Sequence, residues 1–248
     1  MAQTDTPEEA LPVAKLTLGF LLALGLVRTV LLAATGSVTA LGFMVAGSAR
    51  PWTLAAAGSK VWLIAIDVVT VLLVARLLTR EGSSLRDLLE PRPYAKNVLY
   101  ALVGVVAIYL ALALGGFFGN FLIYYGAPTV TDTVHPPVWI GILRAMVAPI
   151  TVAVAEEALF RGYLIPRLRV HLGRVGAVIV AALLAATQSF ALNLGNTEAM
   201  LAGFISSFVI GLAFGGLYLW FKRIAPLILV HWLFEVIVGV LVLVSALR

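Results

Sequence analysis

The sequence predicts an all-α fold, a polytopic membrane helix bundle of about seven or eight transmembrane helices. Hydrophobic residues make up 62% of the 248 residues and charged residues only 12%, whereas soluble domains are roughly half apolar. Mean hydropathy is +1.06. A bilayer-spanning helix needs about 20 mostly apolar residues. Runs of this kind lie at 12–35, 55–78, 97–125, 138–165, 174–194, 199–221 and 225–247.

Three breaks refine this count. The segment LGFMVAG at 41–47 is too short to span and reads as a re-entrant or interfacial piece. Gly239 can divide the last run, which would give an eighth helix. Pro149 interrupts the fourth run, frees a backbone carbonyl and invites a kink that would re-aim the segment around Glu156. Residues 1–11 form a polar tail, 12–130 the N-terminal membrane helices and 138–247 the rest of one integrated membrane domain.

The basic residues predict the orientation. Short cytoplasmic loops of membrane proteins are enriched in Lys and Arg. Three loops are basic here, at 76–96, 167–174 and 222–223, while the alternate loops at 126–137 and 195–198 contain no Lys or Arg. We therefore expect the N-terminus in the cytoplasm. The net charge of +5 then indicates anionic lipid headgroups rather than nucleic acid as partners.

The stretch TVAVAEEALFRGYLIPRLR at 151–169 places two adjacent carboxylates and a guanidinium in an apolar run. Glu157 and Arg161 are four residues apart with the acid first, the favourable order for a helical ion pair. Glu156 points about 100° away, on the side of Phe160 and Tyr163, and is left free to act on a water or a substrate. The alternative is a buried structural network, although ionisable residues inside a membrane are functional candidates by default.

A second polar group lies in HWLFE at 231–235. His231 and Glu235 are at i and i+4, so both project from one helix face with a spacing suited to a shared water, proton or metal ion. A lone membrane histidine is more often a donor between helices. The second ionisable group on the same face favours a functional role. The chain has no cysteine, so disulfides and thiolate chemistry are excluded.

A third group is TQSFALNLGN at 187–196. Asn193 can donate a hydrogen bond to a developing oxyanion, but beside Gly195 it can equally cap the helix. Elsewhere, Arg28 and Asp67 can pair between the first two spans, and Arg144 can reach the external interface. Neither of these belongs to a recognisable chemical grouping in the sequence.

Together EEALFRGYLIPRL, SFALNLGN and GLYLWFKRIAPLILVHWLFEV resemble the CPBP family of intramembrane metalloproteases, which includes the CAAX prenyl endopeptidases and bacteriocin-processing relatives. The resemblance covers about residues 140–247. The family motif EExxxR is matched by Glu156, Glu157 and Arg161. The last motif, His with Asn or Asp four residues later, is matched at His231 but has Glu235 as its partner. The middle motif FxxxH fails, because Phe190 is followed four residues later by Leu194.

The resemblance implies an intramembrane endopeptidase. Glu156 would be the general base that activates water, His231 an acid or a water-orienting group, and Glu157 with Arg161 the supporting pair. Asn193 would be the weakest candidate, a donor in place of the missing histidine. A divalent metal such as zinc, if one is bound, would be held by Glu156, His231 and Glu235. The substrate would be a peptide or membrane protein in a bacterial or archaeal plasma membrane.

Two other classes remain open from the sequence. A catalytically impaired member would bind or scaffold another membrane protein in the same cavity, and the missing histidine supports this. A proton-coupled transporter or lipid-handling protein would use Glu156, Glu157, Asp67 and Glu235 as a relay. That class predicts inverted repeats with broken helices in both halves of the chain.

Overall fold

Long apolar helices account for most of the fold. The structure, a computed structural model, describes residues 16–89, 94–126 and 136–247; the predicted tail at 1–11 lies outside this part of the chain. The helices are α1 (Leu18–Val45), α2 (Pro51–Arg80), α3 (Leu85–Leu89), α4 (Tyr94–Tyr124), α5 (Val138–Met146), α6 (Ala148–Glu156), a π-helix (Glu157–Leu164), α7 (Ile165–Ala186), α8 (Gln188–Leu192), α9 (Thr197–Phe221) and α10 (Ala225–Ala246). The described ranges contain no β-strand, which confirms the all-α membrane bundle.

The segment at 41–47 does not form a separate re-entrant piece, so that prediction is wrong. Its residues complete α1, which ends at Val45, and Gly47 then turns the chain with a φ of 77°. Polar residues interrupt the apolar run before it, but the hydroxyls of Thr35 and Thr39 donate to the carbonyls of Leu31 and Thr35 one turn earlier. The polar groups are thereby satisfied within the helix, so nothing ends it early.

Pro149 interrupts the fourth run as the sequence predicts. Helix α5 ends at Met146, and Pro149 lies in the first turn of α6. Proline is tolerated there because its missing N–H would have no partner inside the helix. The interruption lets α5 and α6 carry Arg144 and Glu156 towards one interior space.

Within the described ranges, six helices are long and apolar enough to cross a membrane, and one of them covers 45 residues, Ala148–Leu192. A straight helix of that length would extend about 68 Å, roughly twice the hydrocarbon core. The chain instead turns at Gly173, whose φ of 69° favours glycine. A Cβ placed on Gly25 of α1 would meet both Leu164 and Leu184, so the two arms run side by side. The long run thus folds into two arms, each long enough for a separate crossing.

Gly239 does not divide the last run. Helix α10 is continuous over Ala225–Ala246, and the prediction of a break is wrong. A Cβ at Gly239 would overlap the backbone carbonyl of Arg144, and one at Gly141 would lie 3.0 Å from the Cα of Leu243. Small residues let helix backbones approach closely in membranes. The glycine therefore joins α10 to α5 instead of breaking α10.

The basic loops meet at one end of the bundle. Arg167 pairs with Glu81 at the end of α2, and the ring of His171 contacts the carbonyl of Leu16 before α1. Arg223 donates to Asn97 near the start of α4, at 3.1 Å. These contacts agree with the same-sided loops that the charge pattern predicts.

Helix α3 gives this end a short cap. The Ser84 hydroxyl and backbone N–H donate to Asp87, at 2.7 and 2.8 Å, and the Asp87 N–H donates back to the Ser84 hydroxyl. This reciprocal arrangement is a capping box. Leu88 lies over Gly162 of the π-helix, where a Cβ would overlap the leucine side chain. Helix α3 is thus packed onto the π-helix.

Candidate active site

A polar cavity of about 180 Å³ lies inside the bundle. This volume holds several water molecules. Helices α1, α2 and α5 to α10 and the π-helix all contribute to its wall. The ionisable side chains that line it are Arg28, Arg144, Glu156, Arg161, His231 and Glu235, and the uncharged polar ones are Gln188, Ser189 and Ser207.

Glu157 is completely buried at the start of the π-helix. Its Oε1 accepts a hydrogen bond from Nη1 of Arg161 at 3.1 Å, which is the ion pair that the spacing predicts. The same oxygen lies 2.9 Å from Nδ1 of His231. Glu157 therefore joins the first and last motifs. π-helical turns inside α-helices occur frequently at functional sites.

The contact with Glu157 orients the ring of His231. An ionised carboxylate only accepts hydrogen bonds, so Nδ1 carries a proton in this contact, and in the neutral form of the ring Nε2 is an acceptor. Phe214 packs against the imidazole, with ring centroids 5.1 Å apart, and against the Arg161 guanidinium at 4.8 Å. The ring is held on two sides and lines the cavity.

The sequence predicts that Glu156 is free of a partner, but the structure pairs it. Nη1 of Arg28 donates to its Oε1. The partner comes from α1, 128 residues earlier, and no local spacing announces it. The side chain nevertheless keeps 19% of its surface exposed where it lines the cavity. Among the described residues no hydrogen bond reaches its Oε2. One oxygen is held and the carboxylate still borders the cavity.

In the sequence Arg28 lies outside any chemical grouping, but the structure places it in the site. Its predicted pairing with Asp67 forms through Nη2, but the pair belongs to the site. Nη1 of Arg28 also donates to Oε1 of Gln188, and Thr151 of α6 donates to Oδ2 of Asp67 at 2.8 Å. The two N-terminal helices therefore complete a network around Glu156.

Arg144 does not reach the external interface. It pairs with Glu235 in the cavity wall, and both side chains are about nine-tenths buried. The close approach of α10 and α5 at Gly239, one turn beyond Glu235, brings the pair together. Glu235 shares a helix face with His231, but its charge is directed to a guanidinium.

Gln188, not Asn193, brings the middle segment to the cavity. Asn193 ends α8, and its amide donates to the carbonyl of Ser189 at 2.9 Å. That contact is a capping interaction, and Asn193 is not among the residues that line the cavity. Gln188 is the first residue of α8, two residues before Phe190, and it lines the cavity.

The aromatic residues predicted beside Glu156 lie elsewhere. Phe160 is fully buried in an apolar cluster around α7 and α1, and the Tyr163 hydroxyl donates to Glu81 at 2.7 Å. The π-helix changes the angular positions that a regular α-helix would give them. The aromatic walls of the cavity are Phe214 and Phe234.

The predicted metal ligands do not fit a metal ion in this arrangement. In the described part of the chain, no three His, Cys, Asp or Glu side chains form a group that can hold one. Of the expected ligands, Glu156 binds Arg28 and Glu235 binds Arg144. Each of these two carboxylates is therefore paired with a guanidinium group and is not grouped with His231 as a ligand set.

The fold and the cavity define a helical membrane protein with an interior site built from ionisable residues on distant segments. Residues 137–237 match the model of the family described as Type II CAAX prenyl endopeptidase Rce1-like, so this part of the chain is similar to that family. The match contains every candidate residue of the first and last motifs. Comparison with curated proteins and with solved structures finds no significant match.

Proposed function

We propose that this protein is an intramembrane endopeptidase that hydrolyses a peptide bond of a peptide or membrane-protein substrate. One observation carries the proposal: Glu156 and His231, 75 residues apart in sequence, line the same cavity. Behind them Glu157 and Arg161 form a buried support. A base, a water-orienting group and an orienting carboxylate are the parts that water-based hydrolysis needs.

In the proposed reaction, the Glu156 carboxylate takes a proton from a cavity water. The oxygen of that water forms a bond to the carbonyl carbon, and the carbonyl oxygen becomes an oxyanion. Nε2 of His231 accepts a hydrogen bond from the second O–H of the water and so orients the water. Glu156 then gives its proton to the amide nitrogen as the carbon–nitrogen bond breaks.

Gln188 supplies the donor for the oxyanion. Arg28 has only N–H donors, so the atom of Gln188 that it contacts is the carbonyl oxygen. The amide NH₂ of Gln188 is then the end available to the cavity that Gln188 lines. Amide donors of this kind stabilise tetrahedral intermediates in other hydrolases.

We further propose that the basic face of the bundle lies in the cytoplasm of a bacterial or archaeal cell, with the plasma membrane as the site of action. The proposal is supported by the Lys and Arg residues at 76–96, 167–174 and 222–223. Membrane lipids surround the bundle, and residues 12–130 and 138–247 form one functional domain because Arg28 contacts Glu156. Nucleic acid is not a partner.

A second candidate is a non-catalytic scaffold that binds another membrane protein in the same cavity. The observation that favours it is the ion pair of Glu156 with Arg28, which compensates the charge of the proposed base and so weakens its basicity. This function needs the shape of the cavity and not the chemistry of the carboxylate.

Glu156→Gln separates the two candidates, because it keeps the shape and removes the base. Wild type and variant are incubated in nanodiscs with a library of membrane peptides, and the products are read by mass spectrometry. An endopeptidase cleaves at least one peptide, and Glu156→Gln lowers that rate by about 100-fold or more. Equal cleavage by both forms, or none by wild type, rejects the endopeptidase. A scaffold keeps its cellular effect in Glu156→Gln and loses it in Phe214→Ala or Phe234→Ala.

A further inference from the structure

We propose that Arg28 is a positioning residue of the site, which holds the base Glu156 and the oxyanion donor Gln188 in their working orientations. This inference rests on the proposed endopeptidase function and deepens it. Arg28 lies on α1, outside the region 137–237 that matches the family. The site of this chain is therefore incomplete without its N-terminal helices.

The contacts of Arg28 connect the two reacting groups. Its side chain is 1% exposed, and Nη1 donates both to Oε1 of Glu156 and to Oε1 of Gln188. Nη2 donates to Asp67, which is fully buried. A guanidinium is a rigid planar fork, so fixing one edge fixes the other. Asp67 thus sets the angle at which Arg28 presents Nη1.

Arg28 also determines which end of Gln188 faces the cavity. The side chain of a glutamine has two ends that differ in chemistry, and a free side chain can present either. Because Arg28 only donates, it captures the oxygen and leaves the NH₂ for the cavity. Glu156 is held in the same way, with Oε1 bound and part of its surface still exposed at the cavity.

Contacts other than those of Arg28 also dock α1. Gly25 allows α1 to pack against Leu164 and Leu184, and the hydroxyls of Thr29 and Thr187 are 2.8 Å apart. These contacts join α1 to the π-helix, to α7 and to the residue before α8. A variant at Thr29 therefore perturbs the same helix interface without touching the network around Glu156, and it serves as the matched control.

The test uses the full chain in nanodiscs and the peptide that wild type cleaves and Glu156→Gln does not. Arg28→Gln is combined with Asp67→Asn, so that neither change leaves the other charge buried alone. We expect kcat to fall by about 100-fold, as it does when a reacting group is misplaced by about 1 Å, with KM changed by less than about threefold. Arg28→Lys, which keeps the charge but loses the fork, restores part of kcat. Thr29→Val keeps wild-type kcat.

Three outcomes overturn the inference while the endopeptidase stands, provided that Glu156→Gln is inactive. The first is wild-type kcat in the double variant Arg28→Gln with Asp67→Asn. The second is an equal fall in kcat in Thr29→Val and in the double variant when the two have the same unfolding midpoint. The third is independent of activity: a thermal double-mutant cycle in which Arg28→Gln and Gln188→Leu shift the midpoint additively shows that the two side chains are not coupled. An active Glu156→Gln rejects the proposed function itself.

Discussion

Nδ1 of His231 lies 2.9 Å from Oε1 of Glu157, so the second carboxylate of the adjacent pair orients a histidine 74 residues away. The two glutamates are neighbours in sequence but have different surroundings. Glu157 is enclosed by Arg161 and His231, whereas Glu156 borders the cavity. This division is the basis for giving the base role to Glu156 and a supporting role to Glu157.

The first prediction concerns the stability of the Glu157 network. Glu157→Gln leaves the Arg161 guanidinium buried without its carboxylate, so we expect a loss of about 3–5 kcal/mol in the free energy of unfolding. Adding Arg161→Gln removes the unpaired charge and restores a large part of the loss. Denaturant unfolding in detergent measures both variants. The prediction is wrong if the double variant is no more stable than Glu157→Gln alone.

Gln188 and Asn193 make a matched pair for the second prediction. Gln188→Leu removes the proposed oxyanion donor, and we expect peptide cleavage to slow by about 100-fold. Asn193→Leu removes an amide that only caps α8, so its cleavage rate stays within about threefold of wild type when the chain folds. Initial rates with one peptide decide between the positions. A larger loss for Asn193→Leu would reverse the assignment.

The third prediction tests the close approach of α10 and α5. A Cβ at Gly239 overlaps the Arg144 backbone, so Gly239→Ala should destabilise the fold by about 1–3 kcal/mol. Gly116, also within a helix, has no atom near a Cβ within 4 Å. Gly116→Ala should instead be neutral or stabilising by up to about 1 kcal/mol. Equal unfolding midpoints for the two variants would contradict the packing.

The absence of cysteine from the chain permits a fourth prediction about water in the cavity. Ser207→Cys places a thiol in the cavity wall, whereas Ser206→Cys places one against the Gly115 carbonyl between α9 and α4. A small water-soluble thiol reagent should modify Ser207→Cys at least about tenfold faster, because the thiolate reacts and forms where water reaches it. Mass spectrometry gives both rates. Similar rates would mean that the cavity is closed to water.

The fifth prediction is a pH effect at α3. Hydrogen bonds from the Ser84 hydroxyl, and next from the Ser84 N–H, hold the pKa of Asp87 below its ordinary value. Because folding lowers this pKa, the ionised carboxylate stabilises the cap at pH values above the ordinary pKa of about 3.9. This contribution disappears as the pH falls through the lowered pKa. Amide exchange in α3, corrected for intrinsic rates, should therefore accelerate at acid pH. Asp87→Asn should abolish this pH dependence.

Local pattern predicts the membrane architecture well. Apolar run length gives the crossings, and Pro149 gives the boundary between α5 and α6, because both signals act within a few residues. Pattern fails at Gly239, where the sequence does not reveal which helix lies opposite. A glycine that breaks a helix and one that admits a neighbouring backbone are identical in a single sequence.

In the site, too, local contacts are predicted from the sequence and contacts between distant segments are not. The Glu157–Arg161 pair follows from i,i+4 spacing and forms as expected. The partners of Glu156 and Glu235 do not follow, because Arg28 and Arg144 come from other helices and each has a plausible separate role in the sequence. Charge balance was the available signal: buried guanidinium groups require carboxylates, and the chain offers few inside the membrane.

Gly173 sets the parity of the crossings. If each of the six long apolar helices crossed once, the two described ends of the bundle would face the same side of a bilayer. If the arms before and after Gly173 cross separately, the two ends face opposite sides. The direction of α10 relative to α6, and with it the side from which His231 approaches Glu157, follows from that one turn. A residue outside the cavity wall thereby decides the direction from which the last helix meets the first motif.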